Sequence, residues 1–506
     1  MKLQKIVLCS IVAVCFIYLI AFQIYAIWAF NIDDTFITLR YAKNWADGFG
    51  LVWNVGAPPV EGYSNFIFVF LAYIALHLGL KPLLVLKIAG ACGLILSAIV
   101  VYGISRNWAP PRLACIPSAW LLMYEGEIVW GMSGLETSVY QTLIAASVYF
   151  MFKGLGFCAF PQTRDRYQTR SLVISALCLS IAGLTRPEAP ALMVLFFMIL
   201  LMTEIVSRKN RAGFITYFMT FSLVLFCAFA PYFVWRLMYY GRLFPNSVYC
   251  KGIAPILNFD LTKEYWMLIW PFMLLALPAV WKSKDNRHWF LWLPGLLYSI
   301  MLLHSDPIVA FYNRLFLPAF AVLLPLAFFG LLTAVSWYLK ERDGIYDTVI
   351  YFIAFIVGFL CIPSFTLGQY QQFSEFPQKG EQLRLAVANW LNQHVPANQS
   401  IVLGDCGLVP FKTPHAYIDS YCLNNAAMTR NPSPSMYQEF CQQILKQTPS
   451  TFVLTALIEN GKVIYAPADA CLAELLPKNN QYQKAITLKT GNESSSYKYE
   501  IYTLKK

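Results

Sequence analysis

Charged residues are scarce in this chain of 506 residues. Asp, Glu, Lys and Arg together make up 13% of it, while 58% is hydrophobic. Ordinary soluble domains carry roughly 25% charged residues, so the composition excludes that class. Several apolar runs approach the ~20 residues that a helix needs to cross a bilayer. Because lipid offers no hydrogen-bond partner to the backbone, helices are the expected spanning elements. The sequence therefore predicts an α-helical polytopic membrane protein.

Other missing patterns exclude further classes of protein. The 13 cysteines form no CxxC pair and no His/Cys cluster with zinc spacing. No GxxxxGK[ST] phosphate-binding loop is present, which argues against a nucleotide site of that kind. No internal repeat is visible, although many transporters are built from repeats. The net charge of +11 is typical of basic cytoplasmic loops in a membrane protein, so no nucleic-acid partner is expected.

The first apolar run covers residues 6–30 and follows two lysines, Lys2 and Lys5. A signal peptide has an apolar core of about 7–15 residues and a small-residue cleavage site. This run is longer and lacks such a site. We therefore expect an uncleaved first transmembrane helix with a cytoplasmic N-terminus.

The distribution of basic residues orients the remaining helices. If the 16-residue stretch 65–80 spanned the membrane, the basic segments 153–170 and 207–211 would lie outside. If it lies along the outer interface instead, both segments lie inside, as the positive-inside rule favours. About eleven spans are then expected, near residues 6–30, 83–105, 113–124, 137–152, 171–185, 189–206, 213–235, 265–281, 289–303, 315–338 and 345–363.

The sequence becomes more polar after residue 363. Residues 1–363 are expected to form the transmembrane domain, with 31–82 as a long outer first loop. Residues 364–506 contain a helix-like stretch at 381–395 and strand-like stretches at 400–405 and 450–458, which predict a small α/β domain. An odd number of spans places this domain outside the cytoplasm. In that oxidising compartment, one or two disulfides are expected among Cys406, Cys422, Cys441 and Cys471, with the pairing left open.

Charged and polar residues gather where the predicted helices reach the outer face. Polar groups at membrane depth usually face protein or a water-filled cavity. Five separate loops therefore predict one outer pocket that holds both carboxylates and cations. Its candidate residues are Asp33, Asp34, Arg40, Glu61, Glu125, Glu136, Arg186, Glu188, Arg242, Asn246, Lys251, His304, Asp306 and Arg314.

A plainer role is open for several of these residues. Asp33 or Asp34 is a favourable N-cap for the helix that follows. Arg186 and Arg314 have side chains long enough to reach the lipid headgroups from an interfacial position. Glu136 is suited to capping a helix or to pairing with a cation. The convergence of five loops on one face favours the pocket.

Carboxylates beside cations at the membrane surface suit a lipid-phosphate substrate. Arginine holds phosphate through two parallel hydrogen bonds. A carboxylate can take the proton of an acceptor hydroxyl while the sugar carbon develops positive charge. A second carboxylate can orient the first, bind sugar hydroxyls or help to hold a divalent cation such as Mg²⁺ or Mn²⁺. The pattern indicates glycosyl transfer from a lipid-linked sugar.

The first loop resembles a known family. The segments "DDTFITLRYAKNWADGFGLVWN" and "PPVEGYSNF" are similar to the GT-C class of polyprenyl-phosphate-sugar-dependent glycosyltransferases. Within it they resemble the bacterial branch of terminal arabinofuranosyltransferases, whose pattern runs DDAFI-x-x-RYA-x-N, GLV-x-N and VEGYTN. The similarity continues in SGLETSVY (133–140), LTRPE (184–188), YYGRLFPNSVYCK (239–251), YNRLFLP (312–318), GDCGLVPF (404–411) and IDSYCLNN (418–425). In the last segment, "DSYCLNN" replaces the family's commoner D-x-x-G-L-x-D.

The resemblance implies roles for individual residues. The family's essential acidic pair falls on Asp33 and Asp34, with Asp33 as the favoured base or metal-holding residue. Arg186, Arg242 and Arg314 become candidates for the donor phosphate. The remaining substrate-binding candidates are Arg40, Glu61, Glu136, Glu188, Asn246, Lys251 and Asp306.

The function implied is that of a membrane glycosyltransferase. It would transfer a sugar from a polyprenyl-phosphate donor to a glycan, lipid or protein acceptor of the cell envelope. The expected location is the periplasmic face of a bacterial inner membrane. The alternative is a polytopic transporter or flippase of lipid-linked sugars, which also carries charge within the membrane.

Overall fold

The protein is described by a computed structural model that covers residues 2–505. The residues left undescribed between them are 163–166, 208–210, 253–256, 283–285, 306–309, 340–344, 431, 434 and 491–494.

The N-terminal two thirds of the chain are helical. The α-helices there are α1 Lys2–Ile27, α2 Asp34–Ala46, α3 Phe66–His77, α4 Pro82–Ser105, α5 Pro111–Ala114, α6 Ile116–Met123, α7 Glu125–Met132, α8 Thr137–Gly154, α9 Thr169–Thr185, α10 Ala189–Ser207, α11 Arg211–Tyr240, α12 Asn246–Lys251, α13 Asp260–Lys282, α14 Trp289–Met301, α15 Leu317–Ser336 and α16 Tyr346–Cys361. Where apolar runs were predicted to span, the described chain is helical.

Helix α15 is the centre of the bundle. It packs against α13, α14, α8 and α4, and 89% of its apolar stretch is buried inside the protein. Gly330 brings α15 close to α13, because a Cβ atom at this position would lie 1.7 Å from the carbonyl oxygen of Leu275. The lack of a side chain permits this approach of two backbones. By contrast, the apolar stretch of α11 is only 6% buried, as a lipid-facing helix would be.

The length and composition of several described helices are those of membrane spans. Four described helical stretches are long and apolar enough to cross a bilayer: Pro82–Ser105, Tyr217–Tyr240, Asp260–Lys282 and Arg314–Ser336. The span predicted at 113–124 is broken into α5 and α6, and α6 is only about 12 Å long. Helix α3, in the stretch 65–80, is about 18 Å long and too short to cross alone.

The C-terminal part forms the predicted α/β domain. Its helices are α17 Leu367–His394, α18 Leu408–Lys412, α19 Met436–Ile444 and α20 Pro467–Leu475, and its strands are β1 Ser400–Leu403, β2 Ala416–Asp419, β3 Thr451–Glu459, β4 Lys462–Tyr465, β5 Tyr482–Lys489 and β6 Ser495–Leu504. The sheet order is β2-β1-β3-β6-β5, with β4 paired to β3. Strands β2, β1 and β3 are parallel, and the other pairs are antiparallel.

Helix α17 begins earlier than the sequence pattern indicated. The side chain of Thr366 accepts a hydrogen bond from the backbone N–H of Gln369, and the side chain of Gln369 accepts one from the N–H of Thr366. This reciprocal cap satisfies two N–H groups that a helix start leaves without partners. The helix consequently joins the bundle to the sheet as one continuous element.

Two disulfides are formed among the cysteines that the structure describes. Cys441 and Cys471 join α19 to α20 within the outer domain, as the composition of that domain led us to expect. Cys422 pairs with Cys250 at the end of α12, across a sequence separation of 172 residues. Cys250 was not among the expected partners, because it lies in the helical part of the chain. Cys406 is buried and free. The outer domain is therefore covalently attached to the helical bundle.

We predict that the double substitution Cys250→Ser/Cys422→Ser lowers the free energy of unfolding by about 2–4 kcal/mol, because it frees a long loop in the unfolded chain. Thermal unfolding of the purified protein in detergent measures this. Cys441→Ser/Cys471→Ser is the comparison variant, since it removes a disulfide that is confined to the outer domain and closes a shorter loop. It should lower the free energy of unfolding by less. Peptide mapping without reductant should recover Cys250 linked to Cys422. Linkage of Cys422 to Cys441 or Cys471 would contradict the assignment.

Candidate functional site

A cavity of about 420 Å³ lies where the first loop, several helix ends and the outer domain meet. Its acidic and basic lining residues are Asp34, Glu136, Arg186, Glu188, Lys251, His304 and Arg314. Polar groups from the first loop and apolar groups from the bundle complete the wall, with Leu423 contributed by the outer domain. The volume is in the range of small-molecule sites.

The charged side chains reach the cavity from the ends of different helices. Asp34 is the first residue of α2, Glu136 immediately precedes α8 and Arg186 immediately follows α9. Lys251 is the last residue of α12, and Arg314 lies in a short turn before α15. A charged side chain costs least free energy in an apolar helix at the end of that helix. The charged residues therefore lie together where these helices end.

Glu136 is the centre of an ion-pair network. Its Oε1 lies 2.5 Å from Nη1 of Arg186 and 3.3 Å from Nη2 of Arg314. Its Oε2 accepts a hydrogen bond of 2.9 Å from Nδ2 of Asn65. Burial alone would raise the pKa of Glu136. The positive charges of Arg186 and Arg314 have the larger effect, so the pKa lies below its ordinary value. Glu136 is therefore an ionised partner of both arginines.

Arg186 also forms a bidentate pair with Glu188. Its Nε donates to Oε2 at 3.0 Å and its Nη2 donates to Oε1 at 2.6 Å. The two side chains are 11% and 13% exposed and both line the cavity. Arg186 therefore points into the protein, and the alternative of an interfacial side chain that reaches for headgroups does not hold for it.

Arg314 is buried at the start of the central helix. Its Nε lies 3.3 Å from Oγ1 of Thr137, and its guanidinium carbon lies 4.7 Å from the centroid of the Trp130 ring. These contacts hold the guanidinium beside Glu136 and away from lipid. Asp306, which was predicted to bind substrate from the same loop, lies outside the described residues.

Asp34 is held more loosely than the other acidic residues of the cavity. Its Oδ2 lies 4.0 Å from Nζ of Lys251, and the two side chains are 28% and 25% exposed. Glu136 and Glu188, by comparison, each accept a hydrogen bond from an arginine. Among the acidic lining residues that the structure describes, Asp34 has the carboxylate best placed to receive a proton from a bound molecule.

Asp33 points away from the cavity into the outer domain. Its Oδ1 accepts a hydrogen bond of 3.0 Å from the N–H of Leu408 and lies 3.2 Å from Nε of Arg384. The same Nε lies 2.7 Å from Oδ2 of Asp405. Asp33 occupies the N-cap position of α2 but makes no side-chain cap hydrogen bond. Its carboxylate connects the first loop to the outer domain instead.

One guanidinium thus serves two buried carboxylates. Burial raises the pKa of Asp33 well above its ordinary value, and the nearby Asp405 adds to the effect against the opposing charge of Arg384. Burial also opposes ionisation of Asp405, but Arg384 and hydrogen bonds, including one from Tyr499, lower its pKa overall. Arg384 and these hydrogen bonds therefore favour ionisation of Asp405 more than that of Asp33.

Two other predicted substrate ligands hold the first loop in place. Arg40 donates to the carbonyl oxygens of Trp53 at 2.9 Å and His415 at 3.1 Å, and also to that of Pro410. Glu61 pairs with Arg236 of α11 at 2.8 Å. Neither Arg40 nor Glu61 lines the cavity. The guanidinium of Arg40 is hydrogen-bonded to backbone carbonyl oxygens and the carboxylate of Glu61 is paired with Arg236 inside the protein.

Arg242 and Asn246 likewise contact the outer domain and do not line the cavity. Nδ2 of Asn246 donates to the carbonyl oxygens of Cys422 at 2.8 Å and Leu423 at 3.0 Å. Nη2 of Arg242 donates to the carbonyl oxygen of Ala426 at 3.1 Å. Both side chains hold the segment that carries Leu423 against the cavity.

Some residues of these networks escaped the sequence analysis. Arg236 lies within the long apolar helix α11, and a charge in such a run is a usable signal of a buried partner. Arg384 lies in ordinary amphipathic sequence, whereas Asp405 lies in GDCGLVPF (404–411), a segment that the resemblance includes without giving this residue a role. Local sequence does not show that either residue contacts Asp33, because more than 300 residues separate them from it in the chain.

The surroundings of Asp33 in the described part of the chain do not favour the divalent cation that was considered for this residue. Mg²⁺ takes several oxygen ligands in a near-octahedral arrangement. The structure places the guanidinium of Arg384 against the Asp33 carboxylate. Within the described ranges, no group of three or more His, Cys, Asp or Glu side chains is arranged to hold a metal ion. We therefore assign no step to a metal.

The fold is shared with solved membrane enzymes of the GT-C class. The structure is similar to that of ArnT from Cupriavidus metallidurans bound to undecaprenyl phosphate, with a TM-score of 0.59, 13% identity, and 96% of this chain and 97% of that chain covered. For the apo oligosaccharyltransferase of Archaeoglobus fulgidus the TM-score is 0.62, with 10% identity and 94% and 80% covered. For the arabinofuranosyltransferase AftD from Mycobacteria, mutant R1389S, the TM-score is 0.52 and the sequence identity is 12%. The similarity covers 96% of this chain and 41% of that chain.

Sequence comparison adds a match in the outer domain. Residues 370–502 match a family described as a domain of unknown function, DUF8728. No curated protein matches the chain by sequence. The predicted GT-C fold is confirmed by these structural similarities, although the sequence identities are low.

We predict that Gly407→Ala weakens the contact between α2 and the outer domain. A Cβ atom at residue 407 would lie 2.0 Å from Oδ2 and 2.2 Å from the backbone oxygen of Asp33. Such overpacking should lower the free energy of unfolding by about 1–3 kcal/mol, and hydrogen exchange should increase in the first turn of α2. Gly368→Ala is the control, because nothing lies within 4 Å of its Cβ position. Unchanged exchange in Gly407→Ala would refute the close contact.

Proposed function

We propose that this protein is a membrane glycosyltransferase. It transfers a sugar from a polyprenyl-phosphate donor to a hydroxyl group of a cell-envelope glycan, lipid or protein. The observation that carries the proposal is the cavity: cations suited to phosphate and a loosely held carboxylate face one space at the ends of apolar helices. The GT-C fold supports it, as does the undecaprenyl phosphate bound to the similar ArnT structure.

The cations of the cavity hold the donor phosphate. Arg314 and Arg186 offer planar guanidinium groups that match phosphate geometry, and Lys251 offers a more mobile charge. Arg314 also directly precedes α15, whose N-terminal dipole favours a nearby anion. A site at the ends of membrane helices lets the polyprenyl chain remain in lipid while its phosphate reaches the cations.

Asp34 acts as the general base. As the acceptor oxygen bonds to the anomeric carbon, its proton passes to a carboxylate oxygen of Asp34. The bond between the anomeric carbon and the phosphate oxygen breaks, and the electron pair leaves with polyprenyl phosphate. Lys251, which lies 4.0 Å from Asp34, and the arginines stabilise the negative charge that develops on this leaving group.

Asp33 supports catalysis indirectly. Although the resemblance favoured it as the base, its carboxylate is occupied by Arg384 and Leu408. We assign it the role of a positioning residue that holds the start of α2, and with it Asp34, against the outer domain. Both members of the acidic pair then matter for activity, but for different reasons.

We further propose that residues 1–363 form the catalytic domain of a bacterial inner-membrane protein and that 364–506 form a periplasmic domain. The disulfides support this orientation, since both form readily only in an oxidising compartment. The basic segments between predicted spans support it through the positive-inside rule. The acceptor approaches from the outer domain, which contributes Leu423 to the cavity wall.

We predict that Asp34→Asn reduces kcat by about 10²–10⁴, because it removes the general base while retaining the shape of the side chain. Asp33→Asn should reduce activity less and should also lower thermal stability. Transfer from a synthetic polyprenyl-phosphate sugar, measured with purified enzyme in detergent, compares the two. Asp47→Asn is the control, because Asp47 is exposed at the other end of α2. Wild-type turnover in Asp34→Asn would reject Asp34 as the base.

We also predict that the donor is a polyprenyl-phosphate sugar and not a nucleotide sugar. Lipid extracts and envelope glycans of a deletion strain, compared by mass spectrometry, should show accumulation of one lipid-linked sugar and loss of the matching residue from one glycan. Turnover of a soluble nucleotide sugar without lipid would contradict the proposal. Movement of the lipid-linked sugar across sealed vesicles without transfer would favour a flippase instead.

A further inference from the structure

Glu188 occupies the face of Arg186 that a donor phosphate would need. The carboxylate accepts from Nε and Nη2 of Arg186 in the same parallel arrangement that a phosphate adopts. Both side chains line the cavity. The carboxylate of Glu188 therefore already binds the part of Arg186 that the proposed function assigns to the donor phosphate.

Carboxylates and cations are equal in number among the lining residues that the structure describes. Among the described lining residues, three carboxylates, Asp34, Glu136 and Glu188, face three cations, Arg186, Lys251 and Arg314. A phosphodiester donor brings one more negative charge. The polyprenyl phosphate product is a monoester whose charge approaches two near pH 7. The carboxylates of the cavity therefore repel the product more strongly than they repel the donor.

Glu188 is better able to move than Glu136. Glu136 is only 2% exposed and is shared by two arginines and Asn65. The hydrogen bonds that the Glu188 carboxylate makes within the described part of the chain go to Arg186 alone. When Glu188 turns away, Nη1 of Arg186 still contacts Glu136, so the guanidinium keeps its orientation.

We infer that Glu188 is an internal counter-anion that occupies the Arg186 phosphate site at rest, yields to the donor and returns to displace polyprenyl phosphate after transfer. This inference rests on the proposed function. Glu188 acts through Arg186 and is a positioning residue, since it governs how tightly the donor and the product are held and takes no part in bond making.

The test is the binding of undecaprenyl phosphate to the full-length protein in detergent micelles. Glu188→Gln keeps the shape of the side chain and removes its charge, so it should bind this product analogue about tenfold more tightly than the wild type. The donor KM and kcat should fall together as product release slows. Glu375→Gln removes the same charge at an exposed position of α17 and should leave binding and KM unchanged.

Two further variants separate the alternatives. Glu188→Ala should also bind more tightly, and it provides a second measurement if the amide variant is unstable. Arg186→Lys/Glu188→Gln should bind undecaprenyl phosphate no more tightly than the wild type, because lysine lacks the planar guanidinium that binds phosphate through two hydrogen bonds. Weaker or unchanged binding in both single variants would overturn the inference and leave Glu188 as a support for Arg186. If the wild type neither binds undecaprenyl phosphate nor transfers sugar, the proposed function itself fails.

Discussion

The ion-pair network around Glu136 is the interaction on which the site depends. It joins the start of α8, the end of α9 and the approach to α15 through Arg186 and Arg314. Asn65 extends it to the first loop and donates to Glu136, while Thr38 of α2 donates to Asn65 at 3.1 Å. Removing one partner from such a buried group leaves an uncompensated charge, which is strongly destabilising. The same contacts that stabilise the bundle therefore hold the arginines in the cavity.

The outer domain is part of this construction. It meets the first loop through Asp33, Arg384 and Asp405, and it meets α12 through Asn246 and the Cys250–Cys422 disulfide. These contacts surround the segment whose Leu423 closes the cavity. Movement of the outer domain would consequently change the shape of the site.

The adjacent residues Asp33 and Asp34 at the start of α2 make different contacts. Successive residues of an α-helix are rotated by about 100°, so the side chains of Asp33 and Asp34 cannot face the same space. Asp34 faces the cavity and remains partly exposed, whereas Asp33 is enclosed by the outer domain. An acidic pair that is one motif in sequence is two separate sites in structure.

The sequence by itself determined the class of the fold. Apolar runs predicted the helices, the change of composition after residue 363 predicted the α/β domain, and the first-loop motif predicted the GT-C architecture. It also identified Asp34, Glu136, Arg186, Glu188, Lys251 and Arg314 as residues that share one outer face, because charge in a membrane protein gathers where helices end.

Tertiary structure alone decided which of these charges remain available to a ligand. Arg40, Glu61, Arg242 and Asn246 have the residue types of a binding site, yet their hydrogen bonds are used to join the first loop, α11 and the outer domain. The same is true of Asp33 and of the disulfide partner Cys250. These side chains face partners within the protein and do not line the cavity. Most of those partners lie far away in the chain, where no local pattern can reveal them.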